Sequence, residues 1–462
     1  MTRCAVRGAW RVAIVALVGV AAPLAAQTSL SVYSDGRVVV RRTLPQALDR
    51  GRNALTLKLD GLEPGTLFSP DTGVTLVSAV QRPATERGTA LESAVGQTLS
   101  FVRAKGDTVR ATVVRVAPPQ YRLPDGRVLL SEPGEPLFPA ELVRTAPEVS
   151  VVLDAARARP RTELAYVTGG ARWEAAYQVL LGGGGQASVS GEATVTSQGL
   201  RADSAALQLV AGTIARARPA GPRPEFAVVG MRAQAAEAPS ASEEAVGETH
   251  VYELPGRISL ASGVPVTTAL FPRSRAAYTR EYVVPGVVPW RGFLGQYPSE
   301  PNRVPVQVWY TLTRARGTPF GDRPLPGGVV QLYEADSAGR VQLVGEATSD
   351  HTAAGRELRV QSGEAFDVTA ARLQTDYGQE AIAPARKGLP VRQRITAAYR
   401  VTISNAKPEA VTVDVRESRS GVWKVVDSSV PAEKLSASEI RFRVSVPASG
   451  DATLTYTVQV ET

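Results

Sequence analysis

The sequence predicts an all-β protein: tandem antiparallel β-sandwich domains with a disordered Ala/Pro-rich insert. Three observations carry that expectation. Apolar residues recur at every second position in short runs, turn-forming residues separate the runs, and no long stretch keeps a helical period between proper caps.

Residues 1–26 read as a secretory signal peptide. Arg3, Arg7 and Arg11 form a basic start, Val12 to Leu24 is apolar, and the small residues Ala25 and Ala26 precede Gln27. The apolar run is shorter than the ~20 residues a spanning helix needs, and no comparable run recurs. No transmembrane span is therefore expected in the mature chain. Cleavage near Ala26 also removes Cys4, the one cysteine, so no disulfide is expected. Export places the protein in the periplasm or at the cell surface.

The mature chain divides into an N-terminal β domain (28–148), a central β domain (149–390) and an Ig-like C-terminal β-sandwich (391–462). In "ALTLKLD", Leu55, Leu57 and Leu59 share one face while Thr56, Lys58 and Asp60 share the other. "VTVDVRE" sets Val411, Val413 and Val415 against Thr412, Asp414 and Arg416, and "IRFRVSV" and "LTYTVQV" repeat the pattern from Ile440 and Leu454. Such alternation describes strands with one buried face. Asp35-Gly36, Pro124-Asp125-Gly126, Gly182 to Gly185 and Asp336 to Gly339 supply the turns. Residues 215–249, rich in Ala, Pro and Glu, hold too few large apolar side chains to offset their ordering entropy. They are expected to form a flexible insert inside the central domain, with strands resuming at Val251.

The stretch "TELAYVTGGARWEAAYQVLL" (Thr162 to Leu181) decides whether aromatics serve chemistry or packing. Trp173 and Tyr177 share parity with Ala175, Val179 and Leu181, so a buried strand face is expected rather than a shelf for a sugar ring.

The inventory of reactive groups is thin. Of 462 residues two are histidines, His250 and His351, which leaves no zinc cluster of usual spacing. Glu334 and Asp336 in "YEADSAG" are the nearest oxygen-ligand candidates, and Asp336 reads better as a hairpin-turn cap. No G-x-S-x-G elbow occurs, and "GGGG" lacks the Lys-Ser/Thr of a phosphate loop. Formal charge is +8, and losing Arg3, Arg7 and Arg11 with the signal peptide lowers it to +5. The basic residues are scattered, with Arg157, Arg159 and Arg161 the densest group, so no nucleic-acid partner is expected. Aromatics at 6% are too few for the girdles of an outer-membrane barrel. Asp367, Asp376 and Glu380 form the one carboxylate group of interest, with Asp367 foremost. Its bland reading is an ion pair with an arginine such as Arg372. No catalytic, metal-binding or cofactor-binding residue is assigned, and no cofactor is expected.

"AYVTGGARWEAAYQVLL" and "LQLVAGTIAR" (Leu207 to Arg216) resemble the core signature of the bacterial domain of unknown function 4139 family, which includes the mucoidy-inhibitor-A-like proteins. "YELPGRISLASGVPVTTALF" from Tyr252, the block Val329 to Arg372, "YRVTISNAKPEAVTVDVRES" with Trp423, and "VYSDGRVVVRRTLPQALDRGRNALTL" from Val32 are similar to its other segments, in order. The chain lacks the long coiled-coil insert of the mucoidy-inhibitor relatives. The resemblance implies an exported, mostly β protein and brings no reaction and no catalytic residues. The expected function is a non-enzymatic binding or scaffolding protein of the cell envelope, its partner an envelope protein or polysaccharide. The alternative is a secreted hydrolase acting on envelope glycan through carboxylates near Asp367.

Overall fold

A computed structural model describes residues 27–59, 61–212, 242–246, 249–286, 296, 300–382, 392–419 and 422–461. The expected signal peptide and positions 215–241, 247 and 248 of the expected insert lie outside them. The described residues are nearly all β, with one short α-helix, Arg87–Ser93. None of their helices is long and apolar enough to cross a membrane. The chain forms two compact units: Met1–Ser29 with Val39–Thr168, and Leu30–Val38 with Gly169–Thr462.

In the first unit, Glu148–Ala155 runs antiparallel between Gly51–Leu57 and Val74–Arg82. Val149, Val151 and Leu153 take its buried face, and Leu57 and Leu59 are buried as their alternation predicts. Between Val74–Arg82 and Glu148–Ala155 the chain builds a separate five-stranded antiparallel sheet. Its meander runs Thr98–Val102, Thr108–Arg115, Gln120–Arg122 and Val128–Leu129, and Glu135–Leu137 returns to pair with the first of these. Leu91 and Ala94, from the helix and its end, close one face over Leu99, Phe101, Val113 and Tyr121.

The second unit starts its largest sheet with a hairpin, Ala171–Leu181 to Gln186–Ser197. The chain turns at Gly182 to Gly185, and Gly184 and Gly185 take φ of 68° and 70°, values the missing Cβ permits. On one side the sheet continues through the long strand Val266–Val284 to Gln307–Leu312 and Leu358–Glu364. On the other, Ala171–Leu181 pairs in parallel with Gly328–Ala335, which pairs with Val341–Ser349. The two ends curl together: a Cβ on Gly345 would lie 2.5 Å from that of Ser362, so only glycine fits. Among the described residues no ladder joins them. Tyr177, Val179, Phe271, Phe320 and Leu332 are buried in this sheet system. Arg314, also buried, donates to the carbonyls of Phe320, Arg323, Ala353 and Arg356 and so ties two loops together. Burial pushes its pKa down to about 10, which leaves it charged at neutral pH.

Val266–Val284 ends in parallel pairing with Val411–Ser418 and so leads into the C-terminal layers. One layer is Asn302–Val304, Val368–Ile382, Arg392–Asn405, Gly450–Glu461 and Val422–Ser428 in spatial order; the other holds Val411–Ser418, Glu439–Val446 and Ala432–Lys434. Val413, Val415, Phe442, Val444, Leu454, Tyr456 and Val458, all on predicted core parities, share the core between them.

One expectation needs correction. The expected insert runs through Thr249 with strands resuming at Val251, yet Ser242–Val246 is a strand and its partner Thr249–Leu260 starts two residues early. An edge strand gains backbone hydrogen bonds from its neighbour, so it needs few large apolar side chains of its own.

Candidate functional site

The structure buries Trp173 (2% exposed) and Tyr177. The Trp173 indole donates to the Val210 carbonyl at 3.2 Å and its ring lies 6.4 Å from that of Tyr252. The Tyr177 hydroxyl donates to the Pro326 carbonyl at 2.7 Å, and its ring stacks on Phe271 at 6.3 Å. Both polar tips are satisfied inside the fold, so neither side chain presents a shelf. The half-buried Trp309 is covered too, by the Arg359 guanidinium 4.0 Å above its ring.

The carboxylates near Asp367 do not converge. Asp367 precedes its strand and meets Lys407 at 3.7 Å, and its partner is not Arg372 as expected. The two residues are five apart on an extended chain, so their side chains leave opposite faces and Arg372 turns into the sandwich. Asp376 follows Asp367 by nine positions, roughly 30 Å of extended chain, and Glu380 follows by a further four, roughly 13 Å. Glycosidase carboxyl pairs stand about 5–9.5 Å apart. Glu380 instead faces Arg394 at 3.8 Å, and both Asp376 and Glu380 are exposed.

The remaining candidates serve local structure. Asp336 accepts the backbone N–H groups of Ala338 and Arg340, and those bonds with the Arg340 guanidinium hold its carboxyl below the usual range. His351 accepts the Gly327 N–H at Nδ1, 2.9 Å away, which fixes the proton of the neutral ring on Nε2. His250 sits within the strand Thr249–Leu260. Arg159, from the densest basic group, pairs with Asp71 at 2.8 Å. Among the described residues no three His, Cys, Asp or Glu side chains gather to hold a metal ion.

The feature that pattern reading missed is an Arg–Glu–Arg cluster inside the C-terminal sandwich. Glu417 is fully buried (0% exposed), with Arg372 Nη2 3.0 Å from Oε1 and Arg419 Nη2 2.7 Å from Oε2. Tyr456 donates its hydroxyl to the same Oε1. Arg372 also reaches the Pro285 carbonyl at 3.2 Å, while its Nε has no hydrogen-bond partner among the described residues. In the sequence Glu417 continues the parity of Val411, Val413 and Val415, so the alternation itself places it on the core face, and only its charge argues against burial there.

Burial raises the phenols of Tyr177 and Tyr456 well above the ordinary tyrosine value, and the Glu417 carboxylate raises Tyr456 further. A raised folded-state pKa gives stability that is complete below the unfolded value of about 10 and is lost as pH rises beyond it. The unfolding midpoint is therefore expected to fall from about pH 10 upward, by as much as ~1.4 kcal/mol per pH unit for each tyrosine. Tyr456→Phe should flatten part of that slope. Denaturant melts that stay level between pH 10 and 12 would contradict it.

No family model matches the chain, and neither a curated protein nor a solved structure does.

Proposed function

We propose that this chain is an exported, non-enzymatic binding or scaffolding protein of the cell envelope, related to the domain of unknown function 4139 family. The ordered sequence blocks support the family, and residues 1–26 support export to the periplasm or cell surface. One observation carries the binding role. Val341–Ser349 ends its sheet's run of ladders; its Gly345 lies against Ser362 of Leu358–Glu364, while Val341, Leu343 and Val344 at its start are exposed at 55%, 55% and 39%. Natural edge strands are commonly blunted by lysine or proline, and "VQLVGEATS" holds neither. An extended segment of an envelope protein fits the exposed Val341–Val344 portion: backbone pairing supplies affinity, and apolar side chains at alternate positions cover Val341 and Leu343.

Leu343→Lys changes one exposed side chain, so stability should shift by less than about 0.5 kcal/mol. Photo-crosslinking from position 341 in cells should trap an envelope protein in the wild type and lose it in Leu343→Lys. Cell fractionation should place the chain outside the cytoplasm. Crosslinks that survive the lysine, or turnover of an envelope polysaccharide abolished by Asp367→Asn, would replace this role with another.

A further inference from the structure

Where the two ends of the curled sheet meet, Val341–Ser349 and Leu358–Glu364 flank an open groove of about 560 Å³ whose lining includes Trp309, Glu346, Thr348, Arg359 and Gln361. Its size is in the range of small-molecule sites. Trp309 pairs across its ladder with Gln361 and lies diagonal to Arg359, so the three share one sheet face. Leu358 and Val360, on the other parity of the same strand, are buried, so the groove lies on the outward face.

Each wall holds a charged group that its neighbours brace. On one side the Arg359 guanidinium lies 4.0 Å over the Trp309 ring and donates through Nη2 to Glu281 at 3.0 Å. The Trp309 indole is itself held by Gln307 at 3.0 Å. Stacking fixes the plane of the guanidinium, and the bond to Glu281 occupies one of its nitrogens. On the other side the Tyr333 hydroxyl donates to Gln331 at 3.1 Å, and the Gln331 amide donates to Glu346 Oε2 at 3.1 Å. Gln331 and Glu346 are cross-strand partners, so the register of the ladder keeps that carboxylate in place. Among the described residues, Glu346 Oε1 and the amide of Gln361 take part in no hydrogen bond, and no ion pair joins Glu346 to Arg359.

We propose that this groove binds a neutral saccharide, whose hydroxyls bridge Glu346 on one wall and Arg359 on the other, with Gln361 between them. Arg359 offers donors only, the Glu346 carboxylate offers acceptors only, and the Gln361 amide offers both. A sugar hydroxyl donates and accepts, so adjacent hydroxyls satisfy all three. An anion drawn to Arg359 would meet Glu281 and Glu346, and a cation drawn to Glu346 would meet Arg359. The groove shares a strand with the exposed Val341–Val344 portion, but none of those four residues lines it. Either reading can therefore fail a test while the other stands.

Calorimetric titration of the full chain tests this, with maltose, cellobiose and diacetylchitobiose as probes and with alanine and inorganic phosphate as charged controls. At least one disaccharide should bind and neither control should. Affinity should change little as salt rises, because the ligand carries no charge to be screened. Glu346→Ala, at an exposed position, removes a charged acceptor and should weaken disaccharide binding about tenfold or more. Gln361→Ala removes a neutral group and should weaken it less. Leu343→Lys should bind the disaccharide as the wild type does, whatever it does to the envelope-protein crosslink. Failure of every disaccharide to bind, binding of alanine or phosphate in their place, or Glu346→Ala binding as well as the wild type would overturn the proposal.

Discussion

Glu417→Gln is expected to cost about 3–5 kcal/mol of folding stability, because removing one partner of a buried ion pair strands the other. Here it strands two. Glutamine keeps the shape of the side chain and an acceptor for the Tyr456 hydroxyl, so the loss isolates charge from packing. Arg372 and Arg419 would remain buried with no carboxylate between them. Denaturant unfolding measures the change, and an unaltered midpoint would mean that water already solvates both guanidinium groups. The combined variant Glu417→Gln with Arg372→Met supplies the control. It removes one of the stranded cations, so it should recover part of the loss, and a strictly additive result would show that the two residues are not coupled.

Trp173→Ala is expected to cost about 3–5 kcal/mol, the range for truncating a large buried aromatic. The indole is buried on the face it shares with Ala175, Tyr177, Val179 and Leu181, and its N–H satisfies the Val210 carbonyl. Truncation opens a cavity and removes that hydrogen bond together. Trp173→Phe separates the two effects: it should cost less, since most of the ring is kept and only the hydrogen bond is lost. Thermal melts in which the alanine variant matches the wild type would place Trp173 outside the core.

The strands and their buried faces were legible because period-two alternation is a local property. Leu57, Val413, Val415, Phe442, Leu454 and Val458 each fall on the parity that their neighbours predict, and each is buried. Turn chemistry was legible for the same reason: Asp336 caps its own hairpin, and Gly184 takes the left-handed backbone that its lack of a Cβ allows. The five-stranded sheet built between Val74–Arg82 and Glu148–Ala155 was not legible, since its short strands read like those on either side. Neither was the edge strand Ser242–Val246, which owes its conformation to the backbone of Thr249–Glu253.

The sequence alone determined the β class, the positions of the core-facing residues in the best-patterned strands, and the packing role of Trp173 and Tyr177, because these depend on neighbours one or two residues away. Tertiary structure alone decided that Arg372 meets Glu417 rather than Asp367, that Asp367, Asp376 and Glu380 lie apart, and that the start of Val341–Ser349 keeps valine and leucine exposed. Those outcomes depend on which strands lie side by side, and charge pairing between residues 45 positions apart leaves no periodic trace in the order of the amino acids.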